Sequence, residues 1–238
     1  MPPVDDSVVE HIRANLAVVT SKIAIAAAGS GRDPKDISLV AVTKMHPVET
    51  VRAAIIAGLC DFGENYAQEF DSKRRDLGEI PCASWHFIGH LQSNKASLVV
   101  GRASLIQSVD REKIARALGR EATEQGIVQD VLIQVRLGDE ESKSGVPVAL
   151  APALRDAILR EPGLRLRGFM GIAPLLEADG QISRPRKYFD ALKEVFESLR
   201  VEYCDILSIG MSDDYEEAIA AGSTMLRIGS ALFGRRGT

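Results

Sequence analysis

Short β-rich runs alternate with helical stretches along almost the whole chain, eight times over. The runs end near Lys44, Glu64, Ile88, Gln107, Val135, Met170, Ile209 and Ile228, and each gives way to a helical pattern or a helix start. Such alternation builds a parallel sheet, because two neighbouring strands running the same way need a helix-length crossover between them. Eight units in about 200 residues fit a closed (β/α)8 barrel of the TIM type better than an open doubly wound sheet, the competing α/β arrangement. An extra amphipathic helix, read from Ser7 to Ala28 and closed by Gly29, precedes the first unit.

The punctuation agrees with that rhythm. Pro47 stands in a first helical turn. Asp110 to Lys113 cap and begin a helix through Glu124, and Pro147 begins one to about Arg160. Arg186 to Leu199 carries Tyr188, Leu192, Val195 and Phe196 on one stripe. Ser212, Asp213 and Asp214 cap a short helix ended by Gly222. No linker or repeat divides residues 1–238, so a single domain is expected, with the charged stretch Gly138 to Val146 as a rim loop. Aromatic residues are only 5% of the chain, which suits an aliphatic core between helices and a parallel sheet.

The net charge of −4 offers no general basic surface, so neither nucleic acid nor an anionic membrane is the expected partner. No membrane span and no leader are expected, for want of an apolar run of about 18 residues and of a leader pattern. Cys60, Cys82 and Cys204 lack metal-type spacing, and an odd count points to a reducing, cytoplasmic setting. Cys60 and Cys82 are read as small core residues. No two histidines share a metal-type spacing with a carboxylate, so no metal is expected. His46 is read as a helix cap, while His11 and His90 are read as solvated.

Barrel enzymes keep their chemistry at the C-terminal strand ends. Here those ends carry Lys44, Asn65, His86, Met170, Ser212 and Arg227. Val40, Val42 and Lys44 share one face of their strand, as do Met225 and Arg227 on the last. If those faces line the barrel, an amine and a guanidinium project into its mouth. A buried lysine amine is a nucleophile toward carbonyls, and an inward arginine needs an anion or an acceptor. The loop Gly210 to Asp213 and the turn Gly229-Ser230 stand where barrels bind phosphate, with backbone N–H groups and the Ser230 hydroxyl as donors. A lysine opposite a phosphate cradle suits a Schiff base with a phosphorylated aldehyde. Pyridoxal phosphate fits both ends, and so does a phosphosugar of the aldolase kind.

Five segments go further. Val40-Ala41-Val42-Thr43-Lys44, Gly63-Glu64-Asn65-Tyr66, Trp85-His86-Phe87-Ile88-Gly89-His90-Leu91-Gln92-Ser93-Asn94-Lys95, Gly210-Met211-Ser212-Asp213-Asp214 and Arg227-Ile228-Gly229-Ser230 occur in that order. Together they resemble the motifs of the pyridoxal phosphate homeostasis family over nearly the whole chain. The sixth strand end, Met170-Gly171-Ile172-Ala173-Pro174, departs modestly from the family's pattern. The resemblance implies a barrel like the N-terminal domain of alanine racemase, with pyridoxal 5'-phosphate as an internal aldimine on Lys44. It implies phosphate contacts from Ser212, Gly229 and Ser230, Arg227 against the pyridine nitrogen, and Asn65 and His86 near the ring, with Met170 completing the expected set.

The same resemblance implies a carrier rather than a strong catalyst. An arginine keeps its charge and would leave the ring nitrogen unprotonated, a weaker electron sink. Racemisation, the alternative function, needs an acid–base group on each face of the substrate. Lys44 could serve one. In alanine racemase a C-terminal domain of the partner subunit supplies the other, and this sequence stops at Thr238. Tyr66, read as packing on a helix, and Tyr215, read as exposed, are the internal substitutes. The expectation is a monomer that holds pyridoxal phosphate and hands it to dependent apoenzymes.

Overall fold

A computed structural model describes residues 4–78, 80–138, 144–174 and 184–234. Eight strands close into one parallel barrel in chain order, so the open-sheet alternative is excluded. The strands are β1 (Ser38–Val42), β2 (Asp61–Glu64), β3 (Ser84–Phe87), β4 (Leu105–Val109), β5 (Gln129–Arg136), β6 (Leu164–Ile172), β7 (Ile206–Ser208) and β8 (Met225–Ile228). The last pairs with the first through Val40↔Arg227 and Ala41↔Ile228. Around them lie helices α1 (Asp6–Gly29), α2 (Val48–Ile56), α3 (Ala67–Leu77), α4 (Glu112–Glu124), α5 (Ala151–Leu159), α6 (Pro185–Leu199), α7 (Tyr215–Ala220) and α8 (Ser230–Phe233). The crossover after β3 is a short 3₁₀ segment, Ser93–Leu98, and another, Val148–Leu150, precedes α5. The helix read from Pro147 is therefore two pieces.

Helix α1 is capped by Asp5, whose side chain accepts from the Ser7 amide. Its stripe of Val9, Ile12, Val19, Ile23 and Ala27 is buried, and the helix packs on α2, α7 and α8. By length and hydropathy alone α1 could cross a membrane, which corrects the reading that no such run exists. In this structure the buried stripe of that helix lies against its neighbouring helices.

Two apolar layers result. A large one fills the space between barrel and helices, with Phe62, Phe87, Ile106, Ile133 and Phe169 on the outer strand faces. A small one of Val40, Leu105, Leu132, Met170 and Met225 fills the barrel itself. Strand β6 changes faces midway. Leu166 pairs with Val131, but Gly168, not Arg167, pairs with Leu132. The extra residue reverses the alternation: Leu166 points at the helices, and beyond the bulge Phe169 does so while Met170 turns inward. Gly168 makes the bulge possible. It has φ +148°, and a Cβ there would stand 1.8 Å from the Ile206 carbonyl oxygen. Arg167, left over, swings out to Asp130 (2.8 Å) and Asp205 (2.8 Å) and ties β5 to the β7 entry.

Several strands end elsewhere than expected. β1 stops at Val42, so Lys44 belongs to a turn, while β4 runs on to Val109 and β6 to Ile172. Cys60 and Cys82 are exposed, not core residues; only Cys204 is buried. Both flank the short segment that enters β2 or β3, where the barrel floor meets solvent. Of the expected rim loop, Gly138 and 144–146 are described, and Lys143 lies outside the described residues.

Candidate functional site

At the C-terminal strand ends lies a cavity of about 400 Å³. Val42, Lys44 and His46 line it from the β1 turn, Asn65 and Ile88 from the next two strand ends, and Ile172 from β6. Met211, Ser212 and Asp213 follow from the β7 loop, and Arg227, Gly229, Ser230 and Gly234 from β8 and α8. Six of the eight residues expected from sequence therefore meet around one space. The other two, His86 and Met170, are absent from its wall. Both are buried in the barrel interior below it.

The turn carrying Lys44 is held from behind. The Thr43 amide donates to Gly63 O (3.0 Å) and its hydroxyl to Glu64 Oε1 (2.6 Å). Lys73, from α3, gives its ammonium to Thr43 O, Glu64 Oε1 and Glu69 Oε1, each at 2.7 Å. Glu69 then accepts from the Met45 amide at 2.6 Å. Residues on both sides of Lys44 are thus pinned, and Met45 adopts φ +62°, a left-handed conformation that costs about 1 kcal/mol for such a side chain. Burial pushes the Glu64 carboxyl up, and the Lys73 ammonium and the Thr43 hydroxyl pull it back. Sequence reasoning missed this cluster. The spacing of Glu69 and Lys73 on one helix face was its only outward sign.

Arg227 forms the inner end of the cavity and is 4% exposed. It donates to Ser208 Oγ (2.7 Å) and to Gly171 O (2.9 Å). Burial lowers its guanidinium to about 10, against the pull of the Asp214 carboxylate, so it is charged at neutral pH. Asp214 is itself raised by burial and accepts from the Met211 amide at 2.6 Å.

Ser212 does not cap α7 as the sequence implied. Its hydroxyl oxygen crosses to β8 and accepts from the amides of Gly229 (3.3 Å) and Ala231 (3.2 Å). Two N–H groups expected for an anion are thereby occupied, and the serine passes their donor character on: its oxygen accepts, so its hydrogen is left to donate toward the cavity it lines. The atoms nearest to a Cβ at Gly229 would belong to Val42, at 3.4 Å or more, an ordinary van der Waals separation. The hydroxyls of Ser212 and Ser230, the Arg227 guanidinium and the Lys44 amine around one cavity form a set that fits a phosphorylated aldehyde.

A family model of the alanine racemase N-terminal domain matches residues 10–237. The "Pyridoxal phosphate homeostasis protein" of Escherichia coli K12 is 44% identical over 227 residues, 93% of this chain and 95% of that one. The chain belongs to the pyridoxal phosphate homeostasis protein family. A solved structure of PipY from Synechococcus elongatus, with pyridoxal phosphate bound, is 32% identical with a TM-score of 0.79, covering 94% of this chain and all of that one. Alanine racemase from Corynebacterium glutamicum, 18% identical with a TM-score of 0.68, shares the fold over 62% of its length.

Within this family fold, the loops after β2 and β3 touch with no room to spare. A Cβ on Gly89 would stand 1.9 Å from the carbonyl oxygen of Asn65, a cavity residue. Gly89→Ala is expected to cost about 1–3 kcal/mol by forcing the two backbones apart. Thermal unfolding checks it, and an unchanged midpoint would show that the contact is slack. His46, read as a helix cap, instead lines the cavity with its ring tilted against Phe233 at 5.2 Å. The two tyrosines exchange their expected places: Tyr215 is 5% exposed, and Tyr66, which precedes α3, is 54% exposed.

Proposed function

We propose that this chain binds pyridoxal 5'-phosphate in the strand-end cavity, with the aldehyde on Lys44, and serves vitamin B6 homeostasis by holding the cofactor and passing it on. One observation carries the reading: Lys44 and the donor set of Ser212, Ser230 and Arg227 line the same 400 Å³. Pyridoxal phosphate, when bound, supplies an aldehyde that an amine captures reversibly and a ring that takes up electrons. Ser212 and Ser230 would hold the phosphate, with the amides of Gly229 and Ala231 behind Ser212. Arg227 would meet the ring nitrogen with donors only, which favours that nitrogen unprotonated. Asn65 also lines the cavity.

A racemase reading needs a second acid–base group. Among the described residues no tyrosine lines the cavity, and Tyr215 is committed to the core. His46 and Asp213 do line the cavity, so what favours holding over turnover is Arg227, whose donors would leave the ring a weaker electron sink. Pyridoxal phosphate-dependent apoenzymes are the proposed recipients, reached across a rim on which Met45 and Tyr66 are exposed. Monomeric, cytoplasmic operation completes the proposal, and three free cysteines are in keeping with a reducing compartment.

The test is an absorbance spectrum after pyridoxal phosphate is added, followed by borohydride reduction and peptide mass mapping. A visible band that borohydride bleaches, with the pyridoxyl mass on the peptide of Lys44, is the expected result. No uptake of the cofactor would sink the reading and bring a phosphosugar ligand forward.

A further inference from the structure

Below the cavity floor, five strands contribute one residue each to a continuous polar chain through the barrel. Arg227 Nη1 donates to Ser208 Oγ at 2.7 Å. The Ser208 hydroxyl lies 2.7 Å from Gln107 Oε1, and Gln107 Nε2 lies 3.1 Å from His86 Nδ1. His86 Nε2 lies 3.1 Å from Asp61 Oδ1 at the opposite, solvent-reaching end, where the aspartate side chain is 39% exposed. Ser208, Gln107 and His86 are buried. Gln107 Nε2 also lies 3.1 Å from the Met225 sulfur.

The direction of every link follows from its first member. A guanidinium has no acceptor, so the Ser208 oxygen must accept and its hydrogen must go to Gln107 Oε1. That fixes the amide with its NH₂ toward His86, whose Nδ1 must then accept. The imidazole proton is left on Nε2 and is given to Asp61. Reversing the amide would point two donors at the Ser208 oxygen and strand the serine hydrogen, at the cost of a buried unpaired group. The chain runs one way, from the mouth to the base.

We propose that Gln107 and His86 are positioning residues, which through this one-way chain anchored on Asp61 hold the Arg227 guanidinium in the orientation it presents to the cavity. Its charged neighbours are Asp61 at one end and Asp214 at the other. The chain itself is independent of any ligand; its effect on a ligand rests on the pyridoxal phosphate reading.

Long-range ¹⁵N–¹H correlation of the His86 ring in the ligand-free protein is the first arm. The neutral Nε2–H form is expected, with Nδ1 unprotonated; an Nδ1–H form or an imidazolium at neutral pH would overturn the proposal. Gln107→Glu is isosteric but has no N–H to offer. It should keep the Ser208 bond and set an acceptor against Nδ1, so the ring is expected to leave the Nε2–H form, and an unchanged ring would show that residue 107 does not meet Nδ1 as the chain requires. Gln107→Leu is the second arm, expected to weaken pyridoxal phosphate binding about tenfold, the loss of one well-oriented charged hydrogen bond. Binding within twofold of the parent, in a variant with an unchanged unfolding midpoint, would overturn positioning while leaving the cofactor assignment intact. Failure of the parent protein to take up pyridoxal phosphate would sink that assignment instead, and the ring protonation would still decide the chain.

Discussion

Lys44→Ala is expected to abolish borohydride-trapped pyridoxyl label entirely while the protein stays folded. The two halves of that statement rest on different parts of the structure. The label is lost because Lys44 is the one lysine lining the cavity among the described residues, and no other amine there can take an aldehyde. The fold is kept because the turn does not depend on the side chain it presents. Its neighbours Thr43 and Met45 are bound through backbone groups to Gly63, Lys73 and Glu69. Truncating a half-buried side chain at a turn should change stability by no more than about 1 kcal/mol. Mass mapping after reduction, beside a thermal unfolding curve, reads both halves at once. Label retained at the parent level would remove Lys44 from its proposed role. Complete unfolding would show that the lysine, rather than the cluster behind it, shapes the turn.

Lys73→Met should produce the largest loss of stability of any single change considered for this site. The ammonium is 5% exposed and the Glu64 carboxylate it meets is fully buried. Removing the cation leaves that carboxylate with the Thr43 hydroxyl as its remaining named partner, and one of its oxygens, Oε2, is already without a hydrogen bond. Breaking one side of a buried ion pair costs about 3–5 kcal/mol. In a chain of this size that is a fall of about 6–20 °C in the unfolding midpoint. The pH response has a definite sign. Burial already raises the folded-state carboxyl above its unfolded value, and loss of Lys73 removes the largest opposing influence. A carboxyl raised in the folded state binds more protons folded than unfolded, so stability falls as pH rises through that interval. The deficit of Lys73→Met should therefore shrink on acidification toward the unfolded carboxylate value and be full at neutral pH. Adding Glu64→Gln should recover much of it. Denaturant curves at two pH values decide the matter; equal deficits at both would mean that packing, not charge, is what Lys73 supplies.

What could be read from the chain alone divides along physical lines. The barrel was legible because period is local: each strand and helix declares itself within about ten residues, and eight in succession leave few ways to close. Lys44, Ser212 and Arg227 were legible because strand ends are where polar groups stand out against apolar runs. The interior was not. Gln107 and Ser208 sit inside apolar strands, and only the closed barrel brings them within 2.7 Å of each other. His86 carried the right motif but lies a layer deeper than a strand-end residue, since β3 stops one residue later, at Phe87. Ser212 looked like a helix cap because its local sequence says so; its bonds go to a strand end seventeen and nineteen residues away. The exposure of Tyr66 and the burial of Tyr215 depend on how α3 and α7 lean on their neighbours, which no alternation rule encodes.

The bulge in β6 decides which layer receives each side chain of the strand's second half. If Arg167 rather than Gly168 came to pair with Leu132, with every residue kept, inside would be exchanged for outside along the rest of that strand. A phenyl ring would arrive in the barrel's narrow middle, and Met170 would be sent out among the helices. The single unpaired residue at Arg167 thus acts as a phase marker for the strand, kept out of the ladder by its ion pairs with Asp130 and Asp205.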